Sequence, residues 1–142
     1  DSRYSVRSFS GVDYVKQNDA ELAAAFERHF DTKDALEEAA RELIAELGAK
    51  GALITRGEKG MMLFLADGAR HEIPVSDKSE VYDVSGAGDT CVAAFILALA
   101  GGASPLAAAQ LSNIASGIAV RKFGTATVSA AELTRKVREL SV

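Results

Sequence analysis

The chain has 142 residues, of which 48% are hydrophobic and 25% are charged, a balance typical of a globular protein with a sizeable core. This length predicts one domain, because two ordinary domains would need a longer chain. The formal net charge of -4 provides no basic field of the kind that attracts a phosphate backbone. We therefore expect no nucleic-acid partner.

Cysteine usage and hydropathy predict a cytoplasmic protein. Cys91 is the only cysteine, so an intrachain disulfide is excluded, and it is most simply a small core residue. The apolar run that contains it, Cys91 to Ala100, is about half as long as a membrane span, and we expect no membrane partner. The opening residues, Asp1 to Tyr4, show neither an initiator methionine nor a targeting pattern, which suggests a start within a longer protein.

Strand and helix patterns alternate in the first half of the chain. Gly48 is a helix stop, and Pro74 indicates an edge strand because proline has no backbone N–H for a ladder. The predicted elements are a strand over 11–15, a helix from its cap Asn18 to Phe26, a helix from its cap Thr32 to Leu47, strands over 52–55 and 60–65, and an edge strand over 71–75.

The second half is predicted to be almost entirely helical. Ser104 and Ser129 are suitable caps for two of its helices. The predicted elements are a last short strand over 81–84 and helices over 89–100, 105–122 and 130–140. Strands alternating with helices, followed by a helical tail, predict an α/β layered fold with a partly parallel sheet and no internal domain boundary.

The run from Asp83 to Thr90, DVSGAGDT, predicts an anion site at a helix start. Glycines allow the backbone to approach a ligand, and the N–H groups of a helix start suit phosphate. An aspartate beside phosphate repels it, so Asp89 makes sense as a base that takes a proton from an attacking hydroxyl. The alternative is that Asp89 is a plain helix cap.

The same run resembles the carboxy-terminal signature of the ribokinase-like sugar kinases, the PfkB family. The resemblance implies a ribokinase-like fold of which residues 1–142 are the carboxy-terminal part, the half with the nucleotide and catalytic site. It implies that Asp89 is the catalytic base of an ATP-dependent carbohydrate kinase. It also implies that Gly86, Ala87 and Gly88 form the anion hole over the transferring phosphate.

The resemblance extends to further positions and to the cofactors ATP and magnesium. Glu21, in an N-x-x-E element, would hold magnesium indirectly, and potassium or another monovalent cation would lie in a site near the signature. Without the family, the loop over 55–60 is a hairpin turn and Asn113 is a helix-surface residue. The implied nucleotide-binding residues are Asn18, Thr55, Gly57, Gly60 and Asn113, and the implied ligands of the monovalent cation are Asp83, Ser85, Val120 and Phe123.

Within the family, the runs 81–90 and 124–129 most resemble the heptose 7-phosphate kinases, which are the kinase half of bifunctional ADP-heptose synthases. The implied reaction converts heptose 7-phosphate to the 1,7-bisphosphate. A kinase of another sugar or nucleoside stays open, as does an inactive nucleotide-binding fragment. The resemblance covers only the carboxy-terminal half of the family fold, so the partner implied is the missing amino-terminal half, without which the chain is inactive, and a homodimer of the intact protein stays open.

Overall fold

Residues 5–76 and 81–140 are described by the structure, a computed structural model. They divide into one compact unit that ends at Glu72 and another that begins at Ile73. The opening residues, Asp1 to Tyr4, which suggested a start within a longer protein, lie outside the described residues. The single domain predicted over residues 1–142 stays a prediction.

The first unit is built on a mixed sheet, as the sequence predicted. The strands are β1 (Tyr14–Asn18), β2 (Gly51–Thr55), β3 (Met61–Leu65) and β4 (Arg70–Ile73), and they lie in the order β1-β2-β3-β4. β1 runs parallel to β2, whereas β2 and β3 form an antiparallel hairpin. The register pairs Asn18 with Thr55, so the carboxyl ends of the two parallel strands meet at one edge. β4 is an edge strand and ends before Pro74, where the missing N–H would interrupt a ladder.

Two helices of the first unit begin and end where local signals predicted. They are α1 (Asp19–Phe26) and α2 (Lys33–Leu47). The Thr32 hydroxyl oxygen accepts the amide of Ala35 at 3.1 Å, and Gly48 ends α2 in the left-handed conformation at φ 62°. The apolar side of α2 packs on the sheet and buries Leu36, Leu43 and Leu47. This packing forms the core of the unit.

The second unit consists of helices. They are α3 (Ala87–Ala100), α4 (Pro105–Ala119) and α5 (Ala130–Leu140). The Ser104 hydroxyl oxygen caps α4 by accepting the amide of Ala107 at 3.2 Å, as predicted. α3 packs against α4, which buries small residues such as Ala108, Ala115 and Ala119. In the described parts of the chain, no helix combines the length and the apolar content that crossing a bilayer requires.

Several predicted element boundaries differ from the structure: the helix predicted over 105–122 ends at Ala119, the helix predicted over 89–100 begins at Ala87, and the edge strand predicted over 71–75 ends at Ile73. The strand predicted over 81–84 is wrong, because this segment is irregular and the amides of Tyr82 and Asp83 both donate to the Val120 carbonyl, at 2.8 and 3.1 Å, instead of forming a strand ladder. The first strand begins at Tyr14 and not at Gly11, because Gly11 lies in a bend at φ 68°. Apolar alternation at 81–84 therefore did not identify the hydrogen-bond partner of this segment, which is the Val120 carbonyl.

Gly51, at the start of β2, occupies a position that we expect to tolerate no larger side chain. A Cβ atom added there would lie 2.7 Å from the Phe64 carbonyl oxygen and 2.9 Å from a Leu65 methyl carbon. Because the Phe64 oxygen belongs to the sheet backbone, we expect Gly51→Ala to lower the free energy of unfolding by about 1 to 3 kcal/mol in a urea titration. Gly101→Ala is the control, since its Cβ would find only ordinary contacts at 3.4 Å, and an equal loss in both variants would contradict this account.

Candidate functional site

The turn before α3 leaves its first amides facing outward from the helix. Gly86 is the N-cap at φ 77°, a conformation that favours glycine, and it has no side chain to accept those amides. The Ala87 amide donates to the Val84 carbonyl at 3.2 Å. The amides of Gly88 and Asp89 lie in the first turn, where a helix offers no internal acceptor. This turn therefore presents N–H groups of the kind that bind an anion.

Asp89 lies in the first turn of α3 with an exposed side chain. The interpretation of Asp89 as the helix cap is wrong, because Gly86 occupies the cap position and Asp89 lies three residues further on. Within residues 5–76 and 81–140, the Asp89 carboxylate has no hydrogen-bond or ion-pair partner. Its oxygens are therefore accessible to a hydroxyl group brought to the turn.

Asp83 connects this turn to the segment that follows α4. Its Oδ1 accepts the Ser85 amide at 2.8 Å, and its Oδ2 accepts the Gly124 amide at 3.1 Å. Hydrogen bonds from the Ser85 amide, then the Ser85 hydroxyl and the Gly124 amide, lower the pKa of the Asp83 carboxyl from its ordinary value. Asp83 therefore holds two irregular segments together as an anion.

An ion pair closes the segment between α4 and α5. Lys122 Nζ donates to Glu132 Oε1 at 2.6 Å and to the Thr127 carbonyl at 2.7 Å. Glu132 Oε2 accepts the Ser129 amide and hydroxyl at 2.8 and 2.9 Å, which completes a capping box on α5. The Lys122 ammonium, followed by the Ser129 donors, lowers the pKa of Glu132 from 4.5 to about 2.

In the first unit, Asn18 and Glu21 form a capping box at the junction of β1 and α1. The Asn18 side chain accepts the Glu21 amide at 2.7 Å, and Glu21 Oε2 accepts the Asn18 amide at 2.9 Å. The ammonium of Lys16, itself only 8% exposed, lies 3.9 Å from the same Glu21 oxygen. The N-x-x-E element therefore has a structural role in the helix start, whatever else it binds.

The loop that connects β2 to β3 begins at the edge where β1 and β2 end. Thr55 is the last residue of β2, and the next residues form a 3-10 turn with Gly57 at φ 54° and Gly60 at φ 81°. The Arg56 amide donates to the Gly60 carbonyl at 2.8 Å, so the hairpin expected without the family is confirmed. The structure thus brings Asn18 and Thr55 together at one edge, as the strand register requires.

Asn113 is buried on α4 and not on the helix surface, so the interpretation as a surface asparagine is wrong. The residue is 8% exposed, and its Nδ2 donates to the Pro74 carbonyl at 2.7 Å. The segment that follows β4 passes close to the same helix, since a Cβ on Gly117 would lie 2.7 Å from the Ser76 hydroxyl oxygen. Asn113 therefore fastens this segment to α4.

A model of one protein family, described as pfkB family carbohydrate kinase, matches residues 4–132 of the chain. The chain belongs to the pfkB carbohydrate kinase family. The bifunctional protein HldE of Mesorhizobium japonicum is 44% identical over 126 residues, which cover 89% of this chain and 25% of that protein. HldE of Rhodospirillum rubrum is 43% identical over 134 residues, covering 94% and 27%. The chain thus spans about a quarter of the length of these relatives.

Solved structures of sugar kinases share this fold. Phosphofructokinase-2 from Escherichia coli, in complex with substrates and products, superposes with a TM-score of 0.84 at 24% identity over 96% of this chain and 44% of that one. The ribokinase of Arabidopsis thaliana, complexed with ribose and ATP, gives a TM-score of 0.82 at 24% identity over 89% and 41%. The predicted α/β, ribokinase-like fold is confirmed, and the chain spans less than half of each matched kinase.

The pfkB signature turn and the edge of the first unit both fit phosphate chemistry. The turn offers first-turn amides, and at the edge of β1 and β2 the buried Nε of Arg56 has no hydrogen-bond partner in the described part of the chain. A buried N–H group without an acceptor is costly, and an anionic oxygen would satisfy it. Arg56 is not among the site residues predicted from the sequence; its position directly after the end of β2 is the signal that could have identified it.

The expected monovalent-cation ligands fit less well. Asp83 and the Val120 carbonyl are oxygen donors of the kind a hard cation needs, but two amides occupy the two lone pairs of the Val120 carbonyl. Phe123 is 82% exposed, and its ring packs on that of Tyr82 with the ring centroids 4.9 Å apart. The assignment of Asp83, Ser85, Val120 and Phe123 as cation ligands stays a prediction. Within the described ranges, no three His, Cys, Asp or Glu side chains form a metal-binding cluster.

The burial of Asn113 leads to a stability prediction. Asn113→Ala removes the donor and leaves the Pro74 carbonyl unpaired, so we expect the free energy of unfolding to fall by about 1 to 3 kcal/mol in a urea titration. Gln110→Ala is the matched control, because it removes an exposed amide side chain from the same helix. If both variants lose the same small amount, the hydrogen bond to Pro74 contributes little.

The pKa of Glu132 leads to a prediction about pH. Because its pKa is about 2 in the folded chain against 4.5 ordinarily, the ionised carboxylate stabilises the fold above about pH 4.5, and this stabilisation is lost as the pH falls toward 2. The difference in unfolding free energy between the native chain and Glu132→Gln should therefore shrink over that range. In a Lys122→Met background, the same substitution should show a weaker pH dependence; an unchanged dependence would exclude Lys122 as the main cause.

Proposed function

We propose that this chain is the nucleotide-binding and catalytic half of an ATP-dependent kinase that phosphorylates a hydroxyl group of a sugar or sugar phosphate. Membership of the pfkB carbohydrate kinase family supports the reaction class. The observation that carries the proposal is the exposed carboxylate of Asp89, which lies one residue after the outward-facing amide of Gly88. A base and an anion site thus adjoin on one helix turn.

In the proposed reaction, Asp89 takes the proton of the sugar hydroxyl as its oxygen bonds to the γ-phosphorus of ATP. The bond between that phosphorus and the oxygen of the leaving ADP breaks in line. The backbone at Gly86, Ala87 and Gly88 stabilises the charge on the transferring group, with the free first-turn amides as donors. Asp89 then releases the proton to solvent after the phosphorylated sugar has left.

The nucleotide residues predicted from the sequence belong to the proposal. Asn18, Thr55, Gly57 and Gly60 would contact the nucleotide or its phosphates from the edge formed by β1, β2 and the loop after β2. Glu21 would act on magnesium indirectly, since its carboxylate is engaged with the helix start. Magnesium, when bound, neutralises the phosphate oxygens. Asn113 would shape the adenine pocket by holding the Pro74 segment, because its amide nitrogen is already bonded.

The proposed substrate is heptose 7-phosphate, phosphorylated to the 1,7-bisphosphate. The support is the identity of 44% and 43% to two HldE proteins, together with the signature runs in the sequence. A kinase of another sugar or nucleoside would use the same base and anion site, since these groups act on the transferring phosphoryl group and not on the sugar.

We propose that the rest of the kinase fold is needed for turnover, and that it covers α3. The exposed apolar side chains Ile96, 50% exposed, and Leu97, 73% exposed, align with the exposed Ala93 and Ala100 along one side of this helix. Soluble monomers seldom expose such a continuous apolar stripe. Since the chain covers 44% of a matched kinase, the remaining part of that fold is available to bury it. The chain alone would then be a nucleotide-binding fragment.

Replacement of Asp89 tests the proposed reaction. In the complete kinase, Asp89→Asn should lower kcat with heptose 7-phosphate by at least about 10²-fold, because a positioned base contributes about 10²- to 10⁴-fold, while ATP affinity is kept. Asp34→Asn is the matched control, since Asp34 is an exposed acid in the first turn of α2. Coupled detection of ADP gives kcat, and near-normal turnover of Asp89→Asn would overturn the assignment.

A further inference from the structure

The loop between α4 and α5 is closed at its ends by Lys122 and by Glu132, which lies in the first turn of α5. The ammonium of Lys122 bridges Glu132 and the Thr127 carbonyl, and Glu132 in turn accepts both donors of Ser129. The side chains of Lys122 and Glu132 are only 31% and 32% exposed, so water screens this pair less than most surface pairs. We call the pair the Lys122–Glu132 clasp.

The far side of the same loop contacts the signature at two points. The Gly124 amide donates to Asp83 Oδ2 at 3.1 Å, with Gly124 at φ 69°. A Cβ built on Gly86 would lie 3.0 Å from the Thr125 methyl carbon, so Thr125 packs directly against the turn. The loop therefore contacts both Asp83, which accepts the amide of Ser85 in the turn, and Gly86, the N-cap residue of α3.

We propose that Lys122 and Glu132 are positioning residues for the phosphate-binding turn: by closing the loop, their clasp holds Gly124 on Asp83 and Thr125 against Gly86. This inference deepens the proposed function and rests on it for its consequence, which is tighter nucleotide binding. Its geometric part concerns only contacts within this loop and the signature.

The clasp includes more hydrogen bonds than an ordinary surface ion pair. A lone exposed pair contributes little, because ordering two long side chains offsets the attraction. Here Lys122 also donates to the Thr127 carbonyl, and Glu132 also accepts the Ser129 amide and hydroxyl. The charge on each side chain strengthens these hydrogen bonds. Residues 123–128 between its ends form neither helix nor strand, so the clasp replaces the ladder that would otherwise fix them.

Amide hydrogen exchange of the chain tests the geometry. Lys122→Met and Glu132→Gln each break the clasp, and glutamine keeps the acceptor of the capping box. We expect exchange at the Gly124 and Ser85 amides to speed up by about three- to tenfold in both variants, with amides inside α4 unchanged. Unlike Lys122→Met, Lys122→Arg should keep exchange at these amides as slow as in the native chain, since arginine can donate to both acceptors. In the double variant Lys122→Met/Glu132→Gln, the effects should not add.

Glu139→Gln is the matched control, because it removes a carboxylate of α5 that pairs with Lys136 at 3.5 Å and takes no part in the clasp. It should leave exchange at Gly124 within twofold of the native chain. Equal effects of Glu132→Gln and Glu139→Gln, or faster exchange throughout α4, would overturn the inference, because the clasp would then act on general stability alone.

Calorimetric titration with Mg·ADP tests the consequence. Lys122→Met and Glu132→Gln should weaken binding about three- to tenfold with the melting temperature held within a few degrees, while Glu139→Gln binds as the native chain does. If the native chain binds no nucleotide but the exchange results hold, the proposed function of the chain fails and the clasp stands. If nucleotide binds equally to all variants, the positioning role is wrong and the proposed function stands.

Discussion

The carboxylate of Asp83 is the interaction on which the candidate site of the second unit depends. Its two oxygens accept amides from Ser85 and Gly124, 41 residues apart from Asp83 in the latter case. The Val120 carbonyl adds two more hydrogen bonds to the same stretch of backbone. The turn before α3 and the loop after α4 lie outside helices and strands, so no regular secondary structure would fix them if these bonds were lost. The geometry of the proposed anion site is therefore set by side-chain and backbone hydrogen bonds of irregular segments.

Elements defined by local signals were predictable from the sequence. Thr32 and Ser104 cap their helices as expected, and Gly48 ends α2, because each acts on backbone groups within a few residues. The strand over 81–84 was not predictable, since a strand exists only where a second strand pairs with it. The same apolar alternation is compatible with an extended segment that bonds instead to a helix end, which is what Val120 provides.

Parts of the candidate site follow the same division. The position of Asp89 beside a glycine turn could be predicted from eight consecutive residues. Whether Asp89 caps α3 or carries a free carboxylate could not, because that depends on the residue at which α3 begins. The bond from Asn113 to Pro74 spans 39 residues, and no local pattern announces it. Ser129 and Glu132 do carry a local signal, the S-x-x-E capping box, whereas the pairing of Glu132 with Lys122 depends on the path of the loop.

The start of α3 differs from the other helix starts in a way that bears on function. Asn18, Thr32 and Ser104 accept first-turn amides of their helices, whereas Gly86 leaves those of α3 without a side-chain acceptor. Glycine at a cap costs only a few tenths of a kcal/mol relative to these residues, so stability is nearly unaffected. A capping oxygen at Gly86 would instead occupy the donors that the proposed phosphate would need. Omitting the cap thus preserves the helix while keeping its most electropositive end available, directly beside the carboxylate of Asp89.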